Sequence, residues 1–131
     1  MPTALELLDL LARPAEDPGV VEDALENCGA ASPAEQSAVA RYLSEGTADQ
    51  AYWAATLIGR DADAAMLHQH VLTAVVCEAD RPPAARQRAA WALGQCRVLE
   101  DANRLRLGRV DATGDPRLAR LIATAVQTPA S

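Results

Sequence analysis

Phenylalanine and lysine are absent from this chain, and Tyr42, Tyr52, Trp53 and Trp91 are its only aromatic side chains among 131 residues. A β-sandwich core draws heavily on aromatic and β-branched residues, so that class is not expected. With no lysine, every cation other than His68 and His70 is an arginine, which reads as base bias in the genome and not as chemistry. No hydrophobic run is long enough to span a bilayer. The opening stretch MPTALELLDLLARP is leucine-rich, yet it lacks a basic leader and carries Glu6 and Asp9, so a secretory signal is not expected. Cys28, Cys77 and Cys96 are odd in number and form no CxxC pair. No disulfide framework is legible, and a reducing cytoplasm is the expected compartment.

What is present is alanine and leucine. Half of the residues are apolar, and a chain of this length suits one domain that buries roughly two thirds of its unfolded surface. Alanine is the best helix former and its small side chain lets helix backbones approach closely, so the fold class expected is all-α. The formal net charge of −6 conceals a division. Residues 1–80 hold fourteen acids against Arg13, Arg41 and Arg60, while residues 81–131 hold nine arginines against Glu100, Asp101, Asp111 and Asp115. The two halves are therefore about −11 and +5 by direct counting.

Three stretches fall into one register when the glycine that closes each is aligned: VVEDALENCG (20–29), QAYWAATLIG (50–59) and ARQRAAWALG (85–94). LARLIATAVQ (118–127) follows without its glycine. The fifth position reads Ala24, Ala54, Ala89, Ile122; the sixth Leu25, Ala55, Ala90, Ala123; the ninth Cys28, Ile58, Leu93, Val126. Spacings of 30, 35 and 33 residues suit a helix-pair repeat. Positions one, five, six and nine share a helical face, and the closing glycine is expected in the left-handed conformation that stops a helix.

A second helix is expected after each stop. SPAEQSAVARYLSEG opens with Ser32 as N-cap, Pro33 at the first position and Glu35 completing a capping box. DADAAMLHQHVLTAVVCEAD opens on Asp61 and presents Leu67, Val71, Ala74 and Val75; LEDANRLRLGRV presents Leu99, Ala102, Leu105 and Val110. The expected organisation is a single domain over 1–131. It has an N-terminal cap helix at 3–12 with Thr3 and Glu6 as its capping box, repeats at 18–46, 47–79 and 80–111, and a C-terminal cap helix at 115–128.

DRPPAARQRAAWALGQ and DATGDPRLARLIATAV resemble the HEAT repeats of the phycobilisome-lyase-like class, with their Asp-Pro turn and Ala-Ala-x-Ala-Leu-Gly run. The resemblance covers 18–131 and is strongest over 80–127. In 18–46, Asn27 and Cys28 replace the Ala-Leu pair, and Arg86 alone keeps the arginine that Ala51 and Ala119 replace elsewhere. It implies a short right-handed α-solenoid of about three and a half helix-pair repeats, roughly eight helices. It says little of function, because such repeats serve scaffolds, adaptors, lyases and DNA-binding enzymes alike.

Candidate chemistry is sparse. His68 and His70 at i,i+2 point to different sides of a helix, and His70 with Cys77 gives two ligands at most, so no metal is expected. No cysteine has a visible base, and Cys28 and Cys96 sit at helix C-termini, where the dipole disfavours a thiolate. The carboxylates at 22–26 and 61–63 flank helix starts, where acids are favoured structurally. No catalytic, cofactor or metal residue is therefore expected, and the chain does not read as an enzyme. The residues singled out for a partner are Arg97, Arg104, Arg106, Arg88, Trp53 and Trp91, with Arg88 stacked on Trp53. The function expected is a bacterial, cytoplasmic scaffold or adaptor. Its concave surface, built from second helices 33–45, 62–78 and 99–110, would receive a protein or peptide of acidic character. Alternatives are a homo-oligomer joined through its oppositely charged halves, a lyase- or chaperone-like tetrapyrrole handler and, last, a phosphate-binding surface for nucleic acid, which scarce stacking aromatics and the negative charge disfavour.

Overall fold

The computed structural model describes residues 3–13 and 17–128; residues 1–2, 14–16 and 129–131 of the expected domain lie outside them. Nine helices occupy the described residues: α1 (Ala4–Leu11), α2 (Pro18–Asn27), α3 (Gln36–Glu45), α4 (Ala48–Gly59), α5 (Ala62–Leu67), α6 (Gln69–Cys77), α7 (Pro83–Leu93), α8 (Asp101–Gly108) and α9 (Pro116–Val126). The all-helical class is as expected. None of these helices is long and apolar enough to cross a membrane.

Side-chain oxygens set several starts. Thr3 accepts from the Glu6 amide, Asp61 from Asp63 and Ala64, and Asp115 from Leu118. The complete capping box belongs to Thr47 and Gln50, whose side chains each accept from the other's amide at 3.2 and 2.9 Å. The box expected at Ser32 and Glu35 is absent. Residues 33–35 form a turn instead, with the Ser32 carbonyl accepting from the Glu35 and Gln36 amides, and α3 begins only at Gln36.

The helices form two rows. α4, α7 and α9 lie side by side, and α3, α6 and α8 form the second row against them. Between the rows the closest packing runs α3 on α4, α6 on α7 and α8 on α9, and at one end α1 packs on α2. These pairs cross the boundaries anticipated at 46–47 and 79–80. α1 is thus one arm of a hairpin with α2 and also touches α3 and α4; Leu7 and Leu8 are buried, and Gln50 Nε2 donates to the Leu8 carbonyl at 2.9 Å. The core is aliphatic, with Leu25, Val39, Leu43, Leu57, Ile58, Leu72, Leu93, Leu99 and Leu118 fully buried between the rows.

Three local expectations are corrected. Helix 62–78 breaks at His68 (φ −108°, ψ 18°), which makes two helices of one and turns Leu67 outward to 73% exposure. Along α8 the inward residues are Asn103 and Leu107, in line with Leu99, whereas Ala102 and Leu105 are exposed. The buried amide of Asn103 has a partner waiting on α6, and that fixes the helix's rotation. Gly29 alone among the described glycines is left-handed, at φ +78°. Gly94 is a right-handed cap at φ −66°, and Gly59 lies inside α4, where a Cβ would collide with the Trp91 ring and approach Ala92 Cβ at 3.0 Å. There the glycine permits close approach of α4 and α7.

Candidate functional site

The arginines divide into those that hold the fold and those left over. A helix ends with carbonyls that have no partner within it, and a guanidinium can satisfy several at once. Arg60 donates to the Leu25 carbonyl at 2.8 Å, to Gly29 at 3.0 Å and to Glu26 at 3.3 Å, closing α2. Arg81 donates to the Leu43 and Ser44 carbonyls of α3 and pairs with Glu78 at 2.7 Å. Arg86 Nε reaches the Val76 carbonyl of α6 at 2.9 Å, and Arg104 donates to the Thr128 carbonyl beyond α9. The basic excess after residue 80 is thus partly internal: three of its arginines cap helix ends.

Of the partner-binding candidates, the structure brings Arg88 and Trp91 together and separates the rest. Arg97 is exposed and faces Asp63 at 3.7 Å, Arg104 is occupied as above, and Arg106 is exposed on α8. Trp53 is buried and meets Tyr52 edge-on, with centroids 5.4 Å apart. The stacking expected between Arg88 and Trp53 is replaced: the guanidinium carbon lies 4.1 Å from the Trp91 ring centroid and 5.4 Å from that of Tyr52. Helical spacing explains this. Arg88 and Trp91 are i,i+3 on α7, whereas Trp53 points from α4 into the core.

Arg88 is fixed a third way. Its Nε donates to Thr56 Oγ1 at 2.8 Å, and that hydroxyl in turn donates to the Tyr52 carbonyl at 2.9 Å. No hydrogen bond within the described residues engages its Nη1 or Nη2. Around it lies a groove of about 270 Å³ between α4, α7 and α9, lined by Tyr52, Gln87, Arg88, Trp91, Arg117 and Leu121 among others. Gln87 Nε2 donates to both Asp115 oxygens at 3.0 Å, so α7 also positions the N-cap of α9, on which Arg117 stands. The Leu118 amide, then the Gln87 side chain, hold the Asp115 carboxyl below its ordinary range. A second groove of about 340 Å³, which shares Tyr52 and Ala84 with the first, has Glu22 and Asp49 among its lining residues. Tyr52 and Gln87 were not among the residues singled out from the sequence, and Arg117 entered only as one of the C-terminal arginines; the i,i+3 and i,i+4 spacing of Ala84, Gln87, Arg88 and Trp91 on α7 was the available signal for Gln87.

The second row carries a polar cluster of a different kind. Gln69, buried in α6, accepts at Oε1 from the Glu100 amide at 2.8 Å and from Asn103 Nδ2 at 3.0 Å, while its Nε2 donates to the Met66 and Val98 carbonyls. Asn103 Oδ1 lies 3.2 Å from His70 Nδ1. His68 Nε2 is buried without a hydrogen-bond partner among the described residues, and burial lowers the pKa of the ring. Cys96 is buried and its thiol is pushed up to about 11 by desolvation, whereas Cys28 is exposed. Among the described residues no three His, Cys, Asp or Glu side chains gather as a metal site.

Compared with known proteins, the chain matches no family model, no curated protein and no solved structure.

Proposed function

We propose that the chain is a non-enzymatic recognition module, a short solenoid of helix pairs of the HEAT kind, and that it holds an acidic protein segment in the groove between α4, α7 and α9. The observation that carries this is Arg88. Its plane is clamped by Trp91 at 4.1 Å and its Nε by Thr56 at 2.8 Å, leaving two terminal nitrogens for a bidentate carboxylate. A guanidinium already ordered in the free protein loses little entropy on binding. Arg117 adds a second cation, and Tyr52, Trp91 and Leu121 add apolar surface beside it, the mixture from which interface hot spots are built. The proposed site belongs to the first-helix row, away from the face of second helices where Arg97 and Arg106 stand apart. A nucleic-acid strand suits the groove less well, because the Trp91 face on which a base would stack is already covered by the Arg88 guanidinium at 4.1 Å.

Titration with peptides of alternating glutamate and leucine, followed by tryptophan fluorescence, tests the reading. Binding should perturb Trp91 emission, and Trp91→Phe should abolish the signal while Trp53→Phe keeps it. Arg88→Ala should weaken affinity about tenfold or more. Equal affinity of Arg88→Ala and the parent chain would remove the site from consideration.

A further inference from the structure

The α8–α9 end of the molecule bears a face that α7, one position back in the row, does not leave open. α7 has α4 on one side and α9 on the other, and its Ala89, Ala90 and Leu93 are fully buried. The residues in the same register on α9 are Ile122, Ala123 and Val126, of which Ile122 is buried, Val126 half-buried and Ala123 exposed. With Ala119 and with Leu107 and Val110 from the α8 side, they line a shallow, mostly apolar groove of about 400 Å³. Leu105 on α8 is 62% exposed as well. The groove is the seat that a further helix of the row would take.

Charge identifies the occupant. Helices α8 and α9 present Arg106 and Arg120, both exposed, against the acid Asp101, while Arg104 is held by the Thr128 carbonyl and Arg117 faces the Arg88 groove. Helices α1 and α2 carry Glu6, Asp9, Glu22, Asp23 and Glu26 and no base. The two hairpins stand at opposite ends of the rows, and α2 leaves Val20 65% exposed. We propose that the α8–α9 end of one copy receives the α1–α2 end of a second copy, head to tail, so that the acidic hairpin continues the row where α9 stops. The two surfaces differ, so the contact is heterologous, and each added copy presents a fresh end. Apolar burial against Ala123 and Val126 supplies the attraction, and the opposed charges select the end and the direction. Neither Arg106 nor Arg120 lines the Arg88 groove, so this contact uses arginines other than those of that site.

Sedimentation velocity over a concentration series, in low and high salt, tests it. The mean mass should rise with concentration in low salt, and the same rise should need higher concentrations in high salt, where the charge selection is screened. The double variants Arg106→Glu/Arg120→Glu and Glu22→Arg/Glu26→Arg should each raise the dissociation constant about tenfold or more, and an equal mixture of the two should reassociate. Ala123→Glu should abolish assembly with an unchanged circular dichroism spectrum, because the side chain is exposed in the monomer. A monomer at every concentration overturns the proposal and leaves the groove to an unlike protein. An assembly indifferent to both double variants, or variants that dissociate and do not complement on mixing, overturns it too.

Discussion

Gly59 stands where α4 meets α7 with no room for a side chain, and alanine there has nowhere to go. Its Cβ would meet the Trp91 ring, itself pinned by Arg88, and the rigid Cβ of Ala92 at 3.0 Å. Gly59→Ala should therefore destabilise the fold by about 1–3 kcal/mol, the usual cost of overpacking, despite its better helix propensity. A lowered urea midpoint with unchanged slope is the expected reading. The same logic of occupied space applies to Gln69, whose amide serves four partners in the second row. Gln69→Ala should cost about 2–4 kcal/mol, because the Glu100 amide and Asn103 lose a buried acceptor together. The cysteines give a third expectation: a maleimide at mildly alkaline pH should modify Cys28 quickly and Cys96 only after unfolding, since Cys96 is buried with its thiol pushed up to about 11. Rapid labelling of Cys96 in the native protein would contradict the packing described.

At the scale of the element, the alanine-rich helices were legible and their joints were not. Ala54, Ala55, Ala89 and Ala90 announce a packing face through spacing alone, and all are fully buried. The ends of the register were less so, because Cys28 and Ala123 keep the spacing but lack a neighbour to bury them, and both are exposed. Periodicity also gave no warning of the break at His68, since residues 62–78 read as one continuous amphipathic pattern; the stop is tertiary, with Gln69 turned inward to serve α8. Half of the candidate site was visible, as Arg88 and Trp91, but its closure was not. Tyr52 and Arg117 arrive from α4 and α9, and the pairing of helices that far apart in the chain is set by packing. The break has a consequence in pH. The pKa of His68 is lowered by burial, so the unfolded chain, near 6.5, binds a proton that the folded one resists. Its contribution to stability is present above that value and is lost as pH falls through the folded pKa. His68→Phe should flatten that part of the stability–pH curve between neutral and mildly acid pH, measured by urea midpoints; an unchanged slope would assign it to other groups.

For the molecule as a whole, each hairpin borrows neighbours to bury its faces, so stability should fall from the middle of the rows toward the ends. α4 and α7 are enclosed on both sides, while α2 rests mainly on α1 and on the Arg60 guanidinium that closes its last turn. That single side chain ties one end of the molecule to the centre, from the C-cap of α4 to three carbonyls of the α2 terminus. Removing it should free α2 without loosening what lies beyond. In hydrogen exchange followed by mass spectrometry, Arg60→Ala should therefore speed exchange in 18–27 about tenfold, the equivalent of about 1.4 kcal/mol, with α6 and α7 unchanged. Arg60→Lys should recover only part of the protection, because an ammonium is a point charge and cannot span three acceptors as the planar fork does. Equal losses in every helix would mean that the protein opens as a single unit, and the graded stability inferred from the two-row packing would have to be abandoned.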